Sequence, residues 1–229
     1  MPFIVFEGGE GGGKSTQTRI LYGRLCQKKH RARLLHEPGD TALGEALRTL
    51  LTAPRQTLFA GWRRSLTQPL NGSQLAAKDL WLPITPVAEL LLFAAARAQL
   101  VAERVKPMLQ RGMTVICDRY TYSTVAYQGY GHGLDLEFIN SLNALVTQGV
   151  KPDLLVLLDI EPTKGLARKR GTAEMSKFEV LDLDFHRRVR DGYLAQAAAD
   201  PERWLVVDAS LSRQKVTQLI WQRVEKIVG

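Results

Sequence analysis

The run Phe3-Ile-Val-Phe-Glu7-Gly8-Gly-Glu-Gly-Gly-Gly13-Lys14-Ser15-Thr16 reads as a short apolar strand that enters a glycine loop of pattern G-x-x-x-x-G-K-S and leaves it into helix-forming residues, 17–29. Each part has a mechanical use. Glycine tolerates positive φ and lets backbone N–H groups come against phosphate oxygens, while a helix that starts there turns its positive end toward the same anion. The pattern therefore assigns Gly8, Gly9, Glu10, Gly11, Gly12, Gly13, Lys14, Ser15 and Thr16 to a nucleotide-phosphate cradle. Lys14 is expected beside the β- and γ-phosphates, with the Ser15 hydroxyl on Mg2+. A flexible Gly-rich turn would match the spacing, but not the strand before it and the helix after it.

Outward from this loop, Ala32-Arg-Leu-Leu-His36 is a second strand, and Glu37-Pro38-Gly39-Asp40-Thr41 ends it in a Pro-Gly turn. Leu43, Leu47, Leu50 and Leu51 recur at helical spacing, from a cap at Asp40 or Thr41 to Pro54. Residues 54–83 have another texture, with Pro54, Pro69, Pro83, Trp62, Trp81 and Asn71-Gly72 and no sustained period, and are read as a loop or irregular helical insertion. A long helix is predicted over 89–110, closed by Gly112, followed by the buried strand Thr114-Val-Ile-Cys117 with Asp118 at its end. A helix over 136–146, strands over 153–160 and 204–207, and an amphipathic helix over 216–228 complete the chain. Five apolar strands that alternate with helices predict an α/β fold: one domain over 1–229, with a parallel sheet covered by helices on both faces. Ligands of such a sheet sit beyond the carboxyl ends of its strands, where 8–15, 37–41 and 118–120 all fall.

The net charge of +8 raises the question of nucleic acid. The excess is not a tail or a repeated basic helix. Residues 163–190 hold eight Lys and Arg against Glu174, Glu179, Asp182 and Asp184, a local +4 that suits a small polyanion at least as well as a polynucleotide. Cys26 and Cys117 lack metal-ligand spacing and are expected as buried thiols in a reducing compartment. The N-terminal apolar run stops at Glu7, and Arg97 interrupts the longest one, 90–96, so neither a signal peptide nor a membrane span is expected, and the location expected is the cytoplasm.

Asp118 ends a strand of the kind that carries a Mg2+-side carboxylate, and Arg119 beside it offers a fork for a second phosphate. At this point the chain becomes specific. Asp118-Arg-Tyr-Thr-Tyr-Ser123-Thr124-Val-Ala126-Tyr127-Gln128-Gly129-Tyr-Gly131 resembles the D-R-Y/H…A-Y-Q-G-x-G signature of bacterial thymidylate kinases. The Phe3 to Thr16 run, Glu37-Pro38-Gly39-Asp40-Thr41, and Leu92-Phe93-Ala-Ala-Ala-Arg97-Ala-Gln99 resemble that family's phosphate loop, its E-P-G-G-T and its L-x-F-x-A-x-R-x-Q helix. The resemblance spans nearly the whole chain outside 54–83.

It implies a three-layer phosphate-loop kinase fold with a mobile lid near 168–178, transfer of the ATP γ-phosphoryl group to dTMP, and a homodimer, with neither nucleic acid nor membrane as partner. It implies further that Phe93 stacks on thymine, that Arg97 bonds a base carbonyl, that Thr124 and Gln128 reach the base edge, and that Glu10 and Glu37 lie near the sugar. Arg119 is implied on the acceptor phosphate, Arg48 in the same pocket, and Arg168 or Arg170 as the lid arginine at the transferring phosphate, since the loop itself carries Gly11 where some kinases place an Arg. The departures are Asp40 for a glycine, Ala96 for an Asp and His132 for an Arg. The alternatives left open are a kinase of the same fold acting on another base, a phosphate-loop switch or ATPase module, and nucleic-acid binding.

Overall fold

In the computed structural model, which describes residues 1–53, 82–169 and 177–228, β1 (Phe3–Glu7) lies at the centre of a parallel sheet of order β2-β3-β1-β4-β5. The other strands are β2 (Ala32–His36), β3 (Thr114–Asp118), β4 (Leu154–Asp159) and β5 (Trp204–Asp208), each within a residue of its expected ends. Alternation along β1 sorts its side chains onto two cores. Phe3 and Val5 join Leu35, Val115, Cys117, Leu155 and Leu157 on one face, whereas Ile4 and Phe6 join Ile116, Val156 and Leu158 on the other. Both faces are buried along β1, β3 and β4, which is why these central strands show no polar alternation.

Helices α1 (Lys14–Gln27) and α8 (Arg213–Val228) cover the Ile4 face through Leu21, Leu25, Ile220, Trp221 and Val224. The Phe3 face carries three helices. These are α3 (Pro86–Leu100, continued by a π-helical turn Val101–Val105 and by Lys106–Gln110), α4 (Thr121–Thr124, continued as π-helix over Val125–Gly131) and α7 (Leu183–Ala199). The remaining helices among the described residues are α2 (Ala42–Thr52), α5 (Leu136–Thr147) and α6 (Pro162–Lys169).

Three local outcomes differ from expectation. Helix α7 was not expected, because Arg187, Arg188 and Arg190 interrupt its apolar residues; its buried Phe185, Val189, Tyr193 and Ala197 nonetheless recur every fourth residue, and Asp182 caps it by accepting from Phe185 N. Cys117 is buried but Cys26 is exposed, since Leu25 takes the inward position of α1 and the next residue turns to solvent. Of the two candidate caps for α2, Thr41 is the one that acts, its Oγ1 accepting from Gly44 N at 2.9 Å. The expected insertion, with Trp62 and Trp81, lies outside the described residues except for 82 and 83.

The strand order changes direction at β1, which opens a crevice at the carboxyl ends of β1, β2 and β3. Backbone bonds bind the three loops there: Arg119 N donates to Phe6 O and Glu37 N to Asp118 O, each at 2.9 Å.

Candidate active site

The glycine loop passes into α1 through Gly13 at φ 86, a left-handed residue with no side chain to cap the helix, so the first N–H groups of α1 are left for an anion. Lys14 folds over this loop and donates from Nζ to the carbonyls of Gly8 and Gly9 at 2.9 and 2.8 Å. Gly8 and Gly12 back onto the Leu158 carbonyl at the end of β4. Gly11 is at φ 70, and a Cβ on it would lie 2.0 Å from the carbonyl oxygen of Gly165 in α6, so no larger residue fits. The contact seats α6 on the loop. Arg168, one turn beyond Gly165, thus reaches 3.5 Å from Gly11 O while donating to Ala209 O at 2.9 Å. Arg170 lies outside the described residues.

Across the sheet, Asp118 pairs in register with Phe6, and its Oδ2 accepts from Ser15 Oγ at 2.6 Å. Beside it Arg119, at φ 74, turns back over the loop. Its Nη1 donates to Gly8 O, Ser123 Oγ and Tyr193 OH, each at 3.1 Å, and its Nη2 donates to Glu10 Oε1 at 2.9 Å and to Tyr127 OH at 3.3 Å. Tyr127 OH also donates to Glu10 Oε1, at 2.7 Å. Burial pushes the Glu10 carboxyl up, but Arg119 and Lys14 outweigh it and hold the group at about 2. Tyr127 stood inside the quoted signature without a role, and Tyr193 sits on the helix that the sequence did not reveal. The four-residue apolar spacing of α7 was the signal that could have found it.

Glu7 was also missed. Alternation puts it on the Phe3 and Val5 face, where it accepts from Tyr120 N at 2.9 Å, Ser123 Oγ at 2.6 Å and Tyr193 OH at 3.2 Å with no exposure to solvent. Burial raises its carboxyl from 4.5 to about 7 despite Ser123 and Arg119. The folded state therefore holds a proton there that the unfolded chain releases between about pH 4.5 and 7, so this group's contribution to stability is present below that window and falls as pH rises through it. Glu7→Gln is expected to gain stability relative to wild type across the window, by on the order of 3 kcal/mol at most. Urea midpoints of both proteins from pH 5 to 8 check this; a difference that does not change with pH would refute it.

The second half of the crevice is built on α3 and α4. Phe93 and Arg97 lie one turn apart, with the Phe93 ring 6.3 Å from that of Phe178. Arg97 is 1% exposed and forms an ion pair with Glu37 Oε1. It also donates to Asn143 Oδ1 and Thr124 Oγ1 at 2.7 Å and to Tyr120 O at 3.3 Å, while its Nε and Glu37 Oε2 have no hydrogen-bond partner among the described residues. Ala96 in place of an Asp thus does not leave Arg97 without an anion. Arg48 Nη1 donates to Pro38 O at 3.1 Å, and Gln128 Nε2 donates to Glu89 Oε1 at 2.6 Å. Asp40 turns its charge away from the crevice: its Oδ2 accepts from His36 N at 2.5 Å and pairs with His36 Nδ1 at 2.8 Å. The His132 ring lies tilted against that of Phe185, with centroids 4.8 Å apart. One continuous cleft is lined by Glu10, Lys14, Ser15, Thr16, Asp118, Arg119 and Arg168 at one end and by Glu37, Arg48, Phe93, Arg97, Thr124 and Gln128 at the other.

A glycine loop running into a helix, a carboxylate on the neighbouring strand that meets the loop serine, and a second pocket opening from the same cleft define a phosphate-loop kinase. Comparison with known proteins narrows the class. A family model described as thymidylate kinase matches residues 6–61 and 73–220, and the chain belongs to that family. It is similar to a thymidylate kinase of Synechococcus sp. (strain JA-3-3Ab), 45% identical over 223 residues that cover 97% of this chain and 95% of the relative. It is 40% identical to one from Deinococcus radiodurans over 224 residues, covering 98% and 96%. Its fold is similar to the crystal structure of thymidylate kinase from Ehrlichia chaffeensis, with TM-score 0.71, 30% identity, and 99% and 98% of the two chains covered. The family model leaves 62–72 unmatched, within the stretch expected as an insertion.

Proposed function

We propose that this chain transfers the γ-phosphoryl group of ATP to dTMP, giving dTDP and ADP. The observation that carries it is the continuity of the cleft, which runs from the phosphate loop past Arg119 to an aromatic ring and the amide of Gln128. The acceptor oxygen belongs to a phosphate already largely ionised at pH 7, so the reaction asks for alignment and charge stabilisation rather than a base.

Gly8, Gly9, Glu10, Gly11, Gly12, Gly13, Lys14, Ser15 and Thr16 bind the ATP phosphates, and Lys14 exchanges its two loop carbonyls for β- and γ-oxygens. Ser15 and Asp118 offer adjacent hard oxygens and would hold Mg2+, whose chemistry is to neutralise charge on the phosphates. No group of three or more His, Cys, Asp or Glu able to hold a metal occurs among the described residues, so the remaining ligands would be phosphate and water. Arg119, set between Glu10 and the loop, holds the acceptor phosphate. Glu10 Oε2, which makes no hydrogen bond among the described residues, accepts from the sugar 3′-hydroxyl. Glu37 and Arg48 line the nucleotide, Phe93 stacks on the base, and Arg97, Thr124 and Gln128 read its edge. Arg168 or Arg170 supplies the cation at the transferring group when the segment near 168–178 closes as a lid. The unit of function is one domain over 1–229 in the cytoplasm, paired as a homodimer. Exposed Val87 and Leu91 on α3, and Phe138 and Leu145 on α5, which packs on α3, support the pairing. No helix among the described residues is long and apolar enough to cross a membrane.

A coupled assay with dTMP, dUMP, dGMP and dCMP as acceptors tests the assignment, and dTMP is expected to be turned over with the highest kcat/KM. In the same assay Phe93→Ala is expected to raise the KM for dTMP about tenfold or more with the KM for ATP little changed, the cost of losing a stacking ring. A rise in the ATP KM instead would place the base site wrongly. Arg97→Ala is a poor probe of the same point, because it strands Glu37 as a buried charge at a cost of about 3–5 kcal/mol.

A further inference from the structure

Glu89 begins the inward face of α3, one turn before Phe93, and is 3% exposed. A buried carboxylate there is an expensive choice, since an apolar side chain would pack at lower cost. Its two oxygens are fully employed. Oε1 accepts from Gln128 Nε2 at 2.6 Å and has His132 Nε2 at 3.5 Å, and Oε2 accepts from the ammonium of Lys177. Burial pushes the Glu89 carboxyl up, yet His132, Lys177 and Gln128 outweigh it, so the group is ionised at neutral pH. An ionised carboxylate can only accept. The atom of Gln128 that faces it must therefore be the NH2, and the carbonyl Oε1 is left as the end of the amide with no hydrogen-bond partner among the described residues, on a side chain that lines the cleft.

We propose that Glu89 is a positioning residue that turns Gln128 into a hydrogen-bond acceptor toward the acceptor base, and so selects a base whose ring nitrogen donates. The inference rests on the placement of Gln128 in the base pocket under Proposed function. Thymine and uracil present a carbonyl beside an N3–H, which suits a donor next to the Gln128 oxygen. Cytosine presents an amino group beside an unprotonated N3 and reverses the pattern. A free glutamine amide would rotate and serve both. Held by Glu89 it serves one, because the wrong edge leaves buried polar groups facing their own kind. Lys177, which with His132 keeps Glu89 charged, comes from the 3-10 turn Lys177–Val180 at the end of the expected lid.

The test compares kcat/KM for dTMP and dCMP in wild type, Glu89→Ala, Glu89→Gln and Gln128→Ala, with unfolding midpoints measured in parallel. Glu89→Ala is expected to lower the dTMP:dCMP ratio about tenfold or more, through KM and not through kcat, with the ATP KM unchanged. Glu89→Gln, which still offers an oxygen to the Gln128 NH2, is expected to keep most of the ratio. If Glu89→Ala does not fold, the pair Glu89→Leu and Lys177→Met, which leaves no buried ammonium unpartnered, carries the same measurement. A ratio that survives the loss of Glu89 while the midpoint falls would make Glu89 a packing residue and overturn the inference. If Gln128→Ala lowers the ratio and Glu89→Ala does not, the positioning role alone fails; if Gln128→Ala also leaves it unchanged, the base-pocket assignment falls with it.

Discussion

Replacing Lys14 with Ala is expected to lower kcat by about 10²- to 10³-fold or more at saturating ATP and dTMP. The reason lies in what surrounds the ammonium. Burial and the neighbouring Arg119 pull its pKa down to about 8, against the pull of Glu10 and Asp118. It is held by two carbonyls of the loop it serves, whose oxygens are weaker partners than a phosphate. Charge that develops on the γ-phosphoryl oxygens and the leaving group then meets a cation already desolvated and in place, at no cost of reorganisation. The cost of its loss falls on the transition state, so kcat should fall more than the ATP KM rises. The unfolding midpoint measures what the loss of the bonds to the Gly8 and Gly9 carbonyls costs the fold. Pre-steady-state turnover with a measured unfolding midpoint separates the two effects. Activity near wild type would take the loop out of the mechanism.

Arg168→Ala combined with Arg170→Ala is expected to lower kcat about 10²-fold or more with a modest change in the dTMP KM, the pattern of a lost cis-acting arginine. The loop cannot supply such a cation itself. Gly11 stands at positive φ with the Gly165 carbonyl where its Cβ would be, so Gly11→Arg is expected to damage the loop and not to rescue the double variant. That same contact fixes α6 against the loop and brings Arg168 within 3.5 Å of Gly11 O. A side chain so placed needs only to exchange the Ala209 carbonyl for a phosphate oxygen. Arg168→Ala and Arg170→Ala measured separately assign the role. If the double variant stays within about threefold of wild type, far short of the effect of an arginine finger, the cation comes from elsewhere.

Much of the molecule was legible along the chain. Apolar runs bounded by turn residues located all five strands to within a residue, since a strand buried on both faces needs continuous apolar sequence and little else. The glycine loop was legible because φ and close approach leave few residue choices, and Lys14, Ser15 and Asp118 then followed from spacing and strand ends. Helix α7 was not legible because its stripe of Phe185, Val189, Tyr193 and Ala197 is diluted by arginines that face outward. Cys26 was misplaced because composition does not say which side of a helix a residue occupies.

What the sequence determined by itself was the α/β class, the position of the glycine loop at the end of the first strand, and the residue types gathered there. These depend on local period, turn chemistry and the backbone freedom of glycine, all properties of neighbours in the chain. What only the tertiary structure decided was partnership. Glu37 meets Arg97 across 60 residues, Glu10 meets Arg119 across 109, and Tyr193 reaches Glu7 across 186. Each buried charge must find an opposite charge or a donor to offset its desolvation, and which one it finds is set by how helices α3, α4 and α7 pack on one face of the sheet.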